Sequence, residues 1–333
     1  MPTLSTLFHH PPSPVEELHT QLLKGRGVRL LVKRDDLLRT GPGLSLCGNK
    51  WRKLQYNLQA ARDAGQDTLL TFGGAYSNHI AAVAAAGQAF SFNTIGIIRG
   101  ERPEGLNPTL RFAEACGMQL QYFSRSEFRE KEKREFQERL QQQFGDFYLL
   151  PEGGANTLAI EGCLDIVAEV EQQLDNFPTH WCCSVGTGGT LAGIITGVQE
   201  RAQVLGFPAL KGDFVEGMVR ELVSGFRVSG LRLEGSEGGG KHNESWAIIP
   251  DFHFGGYAKW TPELVGFMNN FYREHHIPLD PVYTGKLFYG LFQLIEQGYF
   301  PGESIILAVH TGGLQGIEGF NERFGGLLVS GGH

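Results

Sequence analysis

Lys50 is the residue of this chain best placed to do chemistry. It lies in Gly48-Asn49-Lys50-Trp51-Arg52-Lys53-Leu54, just past the Gly-rich stretch from Thr40 to Cys47, where a helical pattern begins. A helix start is the positive end of the helix dipole, so an ammonium group gains nothing there. Such a lysine either turns into solvent or is placed for its amine, and a neutral amine can form a Schiff base with an aldehyde cofactor. Lys53 competes for the same role.

An anion site is the second candidate. Ser184-Val185-Gly186-Thr187-Gly188-Gly189-Thr190-Leu191-Ala192-Gly193 joins an apolar run to a helix of small residues. Glycines let backbone N–H groups approach a phosphate, and the helix start adds partial positive charge. The hydroxyls of Thr187 and Thr190 add donors. No Gly-Lys-Ser/Thr follows, which excludes a nucleotide P-loop, and Leu191 and Ala192 break the dinucleotide pattern G-x-G-x-x-G. Gly73-Gly74-Ala75-Tyr76-Ser77-Asn78-His79 opens an Ala-rich helix, with Ser77 as its N-cap. Three polar side chains at a helix start also suit a small carboxylate. Phe254-Gly255-Gly256-Tyr257-Ala258-Lys259, Asp280-Pro281-Val282-Tyr283-Thr284-Gly285-Lys286 and His310-Thr311-Gly312-Gly313 complete the set. The two tyrosines are by themselves weak signals, because tyrosines flanked by glycine are often packing anchors.

Elements that could position these groups are legible as short apolar runs ending in turns. Leu69–Phe72, Thr94–Ile98, Phe147–Leu150, Trp181–Val185 and Ile305–Val309 each have the length of a buried parallel strand, and most lead into a helical pattern. Alternation of this kind predicts an α/β fold with open, mainly parallel sheets and helices on both faces. Ligands of such sheets bind beyond the carboxyl ends of the strands, where the Gly-rich turns lie. The charged stretch from Ser124 to Gly145 predicts one solvated helix with i,i+4 pairs such as Glu130 with Arg134. Gly235-Ser236-Glu237-Gly238-Gly239-Gly240 predicts a surface loop.

Composition narrows the function classes. A chain of 333 residues with 41% hydrophobic and 20% charged residues fits one large or two ordinary globular domains, and its 46 glycines suit tight strand-to-helix turns. A net charge of −7 with no basic stripe argues against nucleic acid as a partner. No apolar run reaches the about 18 residues of a membrane span. Met1-Pro2-Thr3-Leu4-Ser5 opens no secretory signal, so a cytoplasmic location is expected. Cys47, Cys116, Cys163, Cys182 and Cys183 have no metal-site spacing and read as free thiols, with Cys182 and Cys183 in a buried strand.

These motifs together, in this order, resemble the D-cysteine desulfhydrase and 1-aminocyclopropane-1-carboxylate (ACC) deaminase family of pyridoxal-phosphate enzymes, over about residues 30 to 316. The resemblance implies fold type II: a larger cofactor-binding domain from residues 1–52 and 161–333, and a smaller α/β domain, 53–160, inserted into it. It implies pyridoxal 5'-phosphate as cofactor, a small amino acid as substrate, no metal, and a homodimer. Lys50 becomes the lysine that holds the cofactor. Gly186, Thr187, Gly188, Gly189 and Thr190 cradle its phosphate. Asn78, Thr284 and Thr311 border its ring. Ser77, Asn78 and His79 take the substrate carboxylate, and Tyr257 and Tyr283 match the family's active-site tyrosines, with Lys50, Ser77, Tyr257 and Tyr283 as the catalytic group. ACC deaminases resemble one another in a glutamate at position 284, a leucine at 311 and a glutamine at 79; this chain has Thr284, Thr311 and His79. A carboxylate beside the pyridine nitrogen deepens the electron sink, and loss of a thiolate needs that sink less than opening a cyclopropane ring does. Elimination of hydrogen sulfide from D-cysteine, leaving pyruvate and ammonia, is therefore expected over ACC deamination. A racemase, a dehydratase and a cofactor-binding protein without turnover are the other readings.

Overall fold

A computed structural model describes residues 10–38, 48–228 and 245–329. The Gly-rich stretch 40–47 and the loop 235–240 therefore lie outside the described residues. The chain runs β1 (Val15–Leu18), α1 (Gln21–Arg26), β2 (Arg29–Lys33), α2 (Asn49–Asp63), β3 (Thr68–Gly73), α3 (Asn78–Phe90), β4 (Asn93–Arg99), α4 (Pro108–Ala115) and β5 (Gln119–Phe123). It continues through α5 (Arg125–Phe128), α6 (Arg134–Phe144), β6 (Tyr148–Leu150), α7 (Thr157–Gln173), β7 (His180–Val185), α8 (Gly189–Val198), β8 (Gln203–Pro208) and α9 (Phe214–Val228). β9 (Trp246–Ile248), α10 (Pro262–His275), α11 (Thr284–Glu296), β10 (Ile305–Val309) and α12 (Gln315–Phe324) complete it. Each apolar run singled out above is a strand.

Two sheets result. The larger has the order β1-β2-β10-β7-β8-β9 and the smaller β5-β4-β3-β6. Among the described residues only β1 pairs antiparallel; every other pairing is parallel. Each sheet is buried on both faces. Along β2, Leu30 and Val32 enter the core under α10 and α11, while Leu31 enters the core under α7 and α8. A parallel sheet sandwiched this way needs unbroken apolar strands, which is why the runs were legible. The strand order reverses between β7 and β10 in the larger sheet and between β3 and β6 in the smaller. Crevices at such reversals are where ligands of open sheets bind.

Helix α2 connects the two sheets. Trp51, Leu54, Leu58 and Ala61, on one helical stripe, are buried in the core of the smaller sheet. Its other side is held by charge. The Arg52 guanidinium, wholly buried, donates to both oxygens of Asp35 at 2.7 and 2.8 Å and to both of Glu169 at 2.8 and 2.9 Å. Lys33 reaches the same Glu169 at 2.6 Å. Bidentate pairing satisfies a charge that would otherwise be costly to bury, and it ties α2 to β2 and α7. The start of α2 requires a glycine: Gly48 has φ +68°, and a Cβ there would lie 2.4 Å from the Thr311 carbonyl oxygen. That carbonyl accepts the Asn49 N–H at 3.2 Å, which docks the helix start on the end of β10.

The charged segment after β5 departs from the single helix expected of it. It is two helices, α5 and α6, separated by a turn, and Glu130 pairs with Lys133, whereas Arg134 pairs with Glu138. Ser124 and Glu127 form a capping box that starts the first helix. The break lets Phe128 and Phe136 both pack on Phe72; on one straight helix they would point about 80° apart.

Candidate active site

The two sheet reversals face each other, and the predicted groups gather between them. Gly153 and Gly154, just after β6, both have φ +66°. A Cβ on Gly153 would lie 2.5 Å from the Thr187 side chain, and one on Gly154 would lie 2.8 Å from the His79 ring. The glycine pair thus touches the loop after β7 on one side and the start of α3 on the other.

Lys50 enters this space at the start of α2. Its ammonium donates to Asn49 Oδ1 at 3.0 Å. Burial, reinforced by the charge of Lys53, lowers its pKa to about 7. A neutral amine at physiological pH is what attack on an aldehyde requires. The depressed pKa gives a testable pH dependence. Lys50 is charged below about 7 and neutral above it, so the rate at which the apoprotein captures pyridoxal phosphate should rise through that pH and level off. Stopped-flow absorbance between pH 5.5 and 9 (roughly) measures it; a flat profile would refute the assignment.

Lys53 points elsewhere. Its Nζ donates to the Gly153 carbonyl at 3.0 Å and lies 3.4 Å from Thr187 Oγ1. It also lies 3.0 Å from where a Cβ on Gly189 would be. Among the described residues it has no carboxylate partner, and burial lowers its pKa. An ammonium with no counter-ion, held against a Gly-rich loop and the start of α8, is a site that fits an anion. The sequence offered Lys53 only as a rival to Lys50; its role at the loop became visible only when β6 and β7 were brought together. Of the two threonines on that loop, Thr187 faces Lys53. The Thr190 hydroxyl is turned the other way, accepting from Asn49 Nδ2 at 2.9 Å, so toward an anion Thr190 offers its backbone N–H alone.

Ser77 caps α3 as expected, accepting the Ile80 N–H at 3.3 Å. Asn78 Oδ1 accepts from Gln315 Nε2 at 3.0 Å, which leaves the Asn78 amide N–H₂ free to donate. Gln315, on α12, carried no signal in the sequence. His79 is 1% exposed, and neither ring nitrogen has a partner among the described residues. Burial and the nearby Lys50 and Lys53 hold its pKa well below the usual histidine value, so the ring is neutral and one nitrogen is an N–H donor in either tautomer.

The remaining predicted residues gather at the carboxyl end of the larger sheet. The Tyr283 ring lies 3.0 Å from where a Cβ on Gly186 would be. The hydroxyls of Tyr257 and Tyr283 share a hydrogen bond, and the rings stand edge to face at 6.3 Å. Thr284 is wholly buried, and its hydroxyl is consumed by Asp280: it donates to Oδ1 at 2.9 Å and accepts the Asp280 N–H at 2.8 Å. Asp280 also accepts the N–H groups of Val282, Tyr283 and Thr284, capping α11. Burial nonetheless raises its pKa. Thr311 sits 3.4 Å from Ser184, oxygen to oxygen, bridging the ends of β10 and β7. Beside it, His310 Nε2 donates to the Pro278 carbonyl at 2.7 Å, and its Nδ1 accepts the Gly312 N–H at 3.3 Å. A cleft here is lined by Asn78, Tyr257, Asp280 and Tyr283 together with Tyr76, Trp260 and Phe320.

Comparison with known proteins gives these features a context. A family profile described as pyridoxal-phosphate dependent enzyme matches residues 7–312. A Thermotoga maritima protein that carries 1-aminocyclopropane-1-carboxylate deaminase as a provisional name is 32% identical over 317 residues, 92% of this chain and 95% of its own. The Arabidopsis thaliana mitochondrial bifunctional D-cysteine desulfhydrase/1-aminocyclopropane-1-carboxylate deaminase is 30% identical over 341 residues, covering 95% of this chain and 80% of its own. Among solved structures, an ACC deaminase homologue superposes with a TM-score of 0.79 at 27% identity, over 98% of this chain and all of the other.

Proposed function

The chain belongs to the pyridoxal-phosphate dependent enzyme family, and from that premise we propose that it converts D-cysteine and water to pyruvate, ammonia and hydrogen sulfide. Pyridoxal phosphate is its cofactor, and its relatives are named as ACC deaminases and D-cysteine desulfhydrases. The cofactor, when bound, supplies an electron sink that acidifies the Cα–H bond of an amino acid.

The chain's own groups fit that cofactor and this reaction. The amine of Lys50, neutral above about pH 7, serves to hold the aldehyde and then to take the Cα proton. Lys53 and the backbone N–H groups from Gly186 to Thr190 hold the phosphate. The Asn78 amide, the His79 N–H and the start of α3 bind the substrate carboxylate. Tyr257 and Tyr283 face the leaving group. The Cβ–S bond breaks with its electron pair on sulfur, and the Tyr257 hydroxyl, hydrogen-bonded to that of Tyr283, gives its proton to the thiolate. Hydrolysis of the released enamine yields pyruvate and ammonia. We assign residues 53–160 to an inserted smaller domain that closes on the remainder over bound substrate, which excludes water from the cleft.

Thr284 is the observation that carries the choice of D-cysteine. Its hydroxyl donates to Asp280 Oδ1, so the group at this position is a neutral hydroxyl in place of a carboxylate. A neutral neighbour suits loss of a good leaving group better than ring opening. Incubating the holoenzyme separately with D-cysteine, L-cysteine and ACC, and assaying keto acid and sulfide together, tests the proposal. Equimolar pyruvate and sulfide from D-cysteine is the expected outcome. Formation of 2-oxobutanoate from ACC, with no sulfide from either cysteine, would assign the deaminase activity instead.

A further inference from the structure

Lys286 closes the Asp280-to-Lys286 motif, and the reaction above gives it no part. It sits on the first turn of α11 and is 1% exposed. Its ammonium donates to the carbonyl oxygens of Gly256 at 2.7 Å and His253 at 2.9 Å, with that of Ala209 at 3.5 Å. Three carbonyls from two stretches of backbone thus converge on one buried cation: one just past β8, and two from the turn around Tyr257. Burial draws its pKa down to about 8, against the opposing charge of Asp280.

The turn that Lys286 grips is a strained one. Phe254, Gly255, Gly256 and Ala258 all have positive φ, at 53°, 92°, 118° and 54°. A left-handed conformation is sterically unfavourable at residues with a Cβ, such as Phe254 and Ala258. Tyr257 stands in the middle of this sequence. Within the turn, the Gly255 N–H is held by His253 Nδ1 at 2.8 Å and the Gly256 N–H by the His253 carbonyl at 3.0 Å. Those bonds fix the turn to itself; Lys286 fixes it to the body of the protein.

We propose that Lys286 is a positioning residue, an internal cation that clamps the His253 and Gly256 carbonyls and thereby aims the Tyr257 hydroxyl at the cleft. Helix α11 then sets both tyrosines. Tyr283 precedes its first turn and is held by Asp280, while Tyr257 is held through Lys286. A water molecule could bridge two such carbonyls, but a lysine brings a donor set covalently anchored to the same helix as Tyr283, so the two hydroxyls keep their mutual geometry.

The proposal rests on Tyr257 acting in the reaction above, so one arm of its test needs no turnover. Hydrogen exchange is measured by mass spectrometry on the wild-type holoenzyme and on Lys286→Met, which keeps the volume and removes the charge. Amides of residues 253–259 should exchange at least about tenfold faster in the variant, while β3, β7 and β10 keep their protection. Unchanged exchange in that turn overturns the proposal, whatever the substrate proves to be. The second arm is a double-mutant cycle with Tyr257→Phe on whichever amino acid the enzyme turns over. Lys286→Met should lower kcat about tenfold with a smaller change in KM, and that loss should vanish in the Tyr257→Phe background. An equal loss in both backgrounds would mark a general structural role and overturn the proposal. If the methionine variant does not fold, Lys286→Gln takes its place in both arms, with a smaller expected acceleration of exchange; unchanged exchange in the turn, or an equal loss of kcat in both backgrounds, again overturns the proposal. A wild-type enzyme inert to D-cysteine and ACC would sink the proposed function alone, since the exchange arm still decides the role of Lys286.

Discussion

Lys50→Ala is expected to abolish turnover, on the order of a thousandfold or more, and to remove the absorbance at roughly 410–430 nm that marks a lysine-bound cofactor of this type. Stability should hardly change. Among the described residues the Lys50 ammonium is bonded only to the neighbouring Asn49 side chain. Its lowered pKa shows that burying its charge is unfavourable. Removing a poorly solvated cation costs the fold little and can stabilise it, the usual trade between a reactive site and a stable one. Compared as apoproteins, the variant should therefore melt at or slightly above the wild-type temperature. Arg52 provides the contrast: its guanidinium joins Asp35 and Glu169, and its loss would strand two buried carboxylates. Spectra and melting curves of Lys50→Ala, recorded together, make the check. Retention of the absorbance band would move the covalent role to another lysine.

Lys53→Met should leave the covalent chemistry in place and weaken the hold on the cofactor. A charge-assisted hydrogen bond to a buried anion contributes about 1.5–3 kcal/mol, so dissociation of pyridoxal phosphate should become roughly tenfold to hundredfold easier. The bonds of Lys53 in this structure, to the Gly153 carbonyl and Thr187, are those of a cation without a counter-ion. Inorganic phosphate offers a readout independent of activity. It should raise the melting temperature of the wild-type apoprotein, because it binds only the folded state, and raise that of Lys53→Met much less. Equal stabilisation of both proteins would mean that the anion site lies elsewhere. The two lysines thus separate by experiment: one variant loses the covalent band with the fold intact, and the other loses affinity with the band recoverable at high cofactor concentration.

Much of this protein was legible one residue at a time. Buried parallel strands cannot alternate polar and apolar residues, so Leu69–Phe72, Trp181–Val185 and Ile305–Val309 announced themselves. The Ser77 cap was legible because a helix start needs an acceptor for its free N–H groups. The lysine at 50 stood out because a cation at a helix start lacks any local reason to be there. The single charged helix expected from Ser124 to Gly145 failed for a physical reason of the same kind. Charge pairs along a surface helix are weak, and burial of Phe128 and Phe136 on Phe72 outweighed them.

By itself, then, the sequence determined the strands, the turns that end them, and the chemical character of the residues on those turns, because each follows from local sterics and hydrogen bonding. Only the tertiary structure decided what those residues face. Lys53 met the Gly153 carbonyl beside the loop after β7, and the Thr190 hydroxyl turned to Asn49. Lys286 met the carbonyls beside Tyr257, and His79 was buried with both nitrogens free against Gly154. These pairings join segments up to about a hundred and forty residues apart, from Asn49 to Thr190. No local rule sets them; they follow from which two strands flank each reversal of a sheet, and that order is fixed only when the helices have packed on both faces.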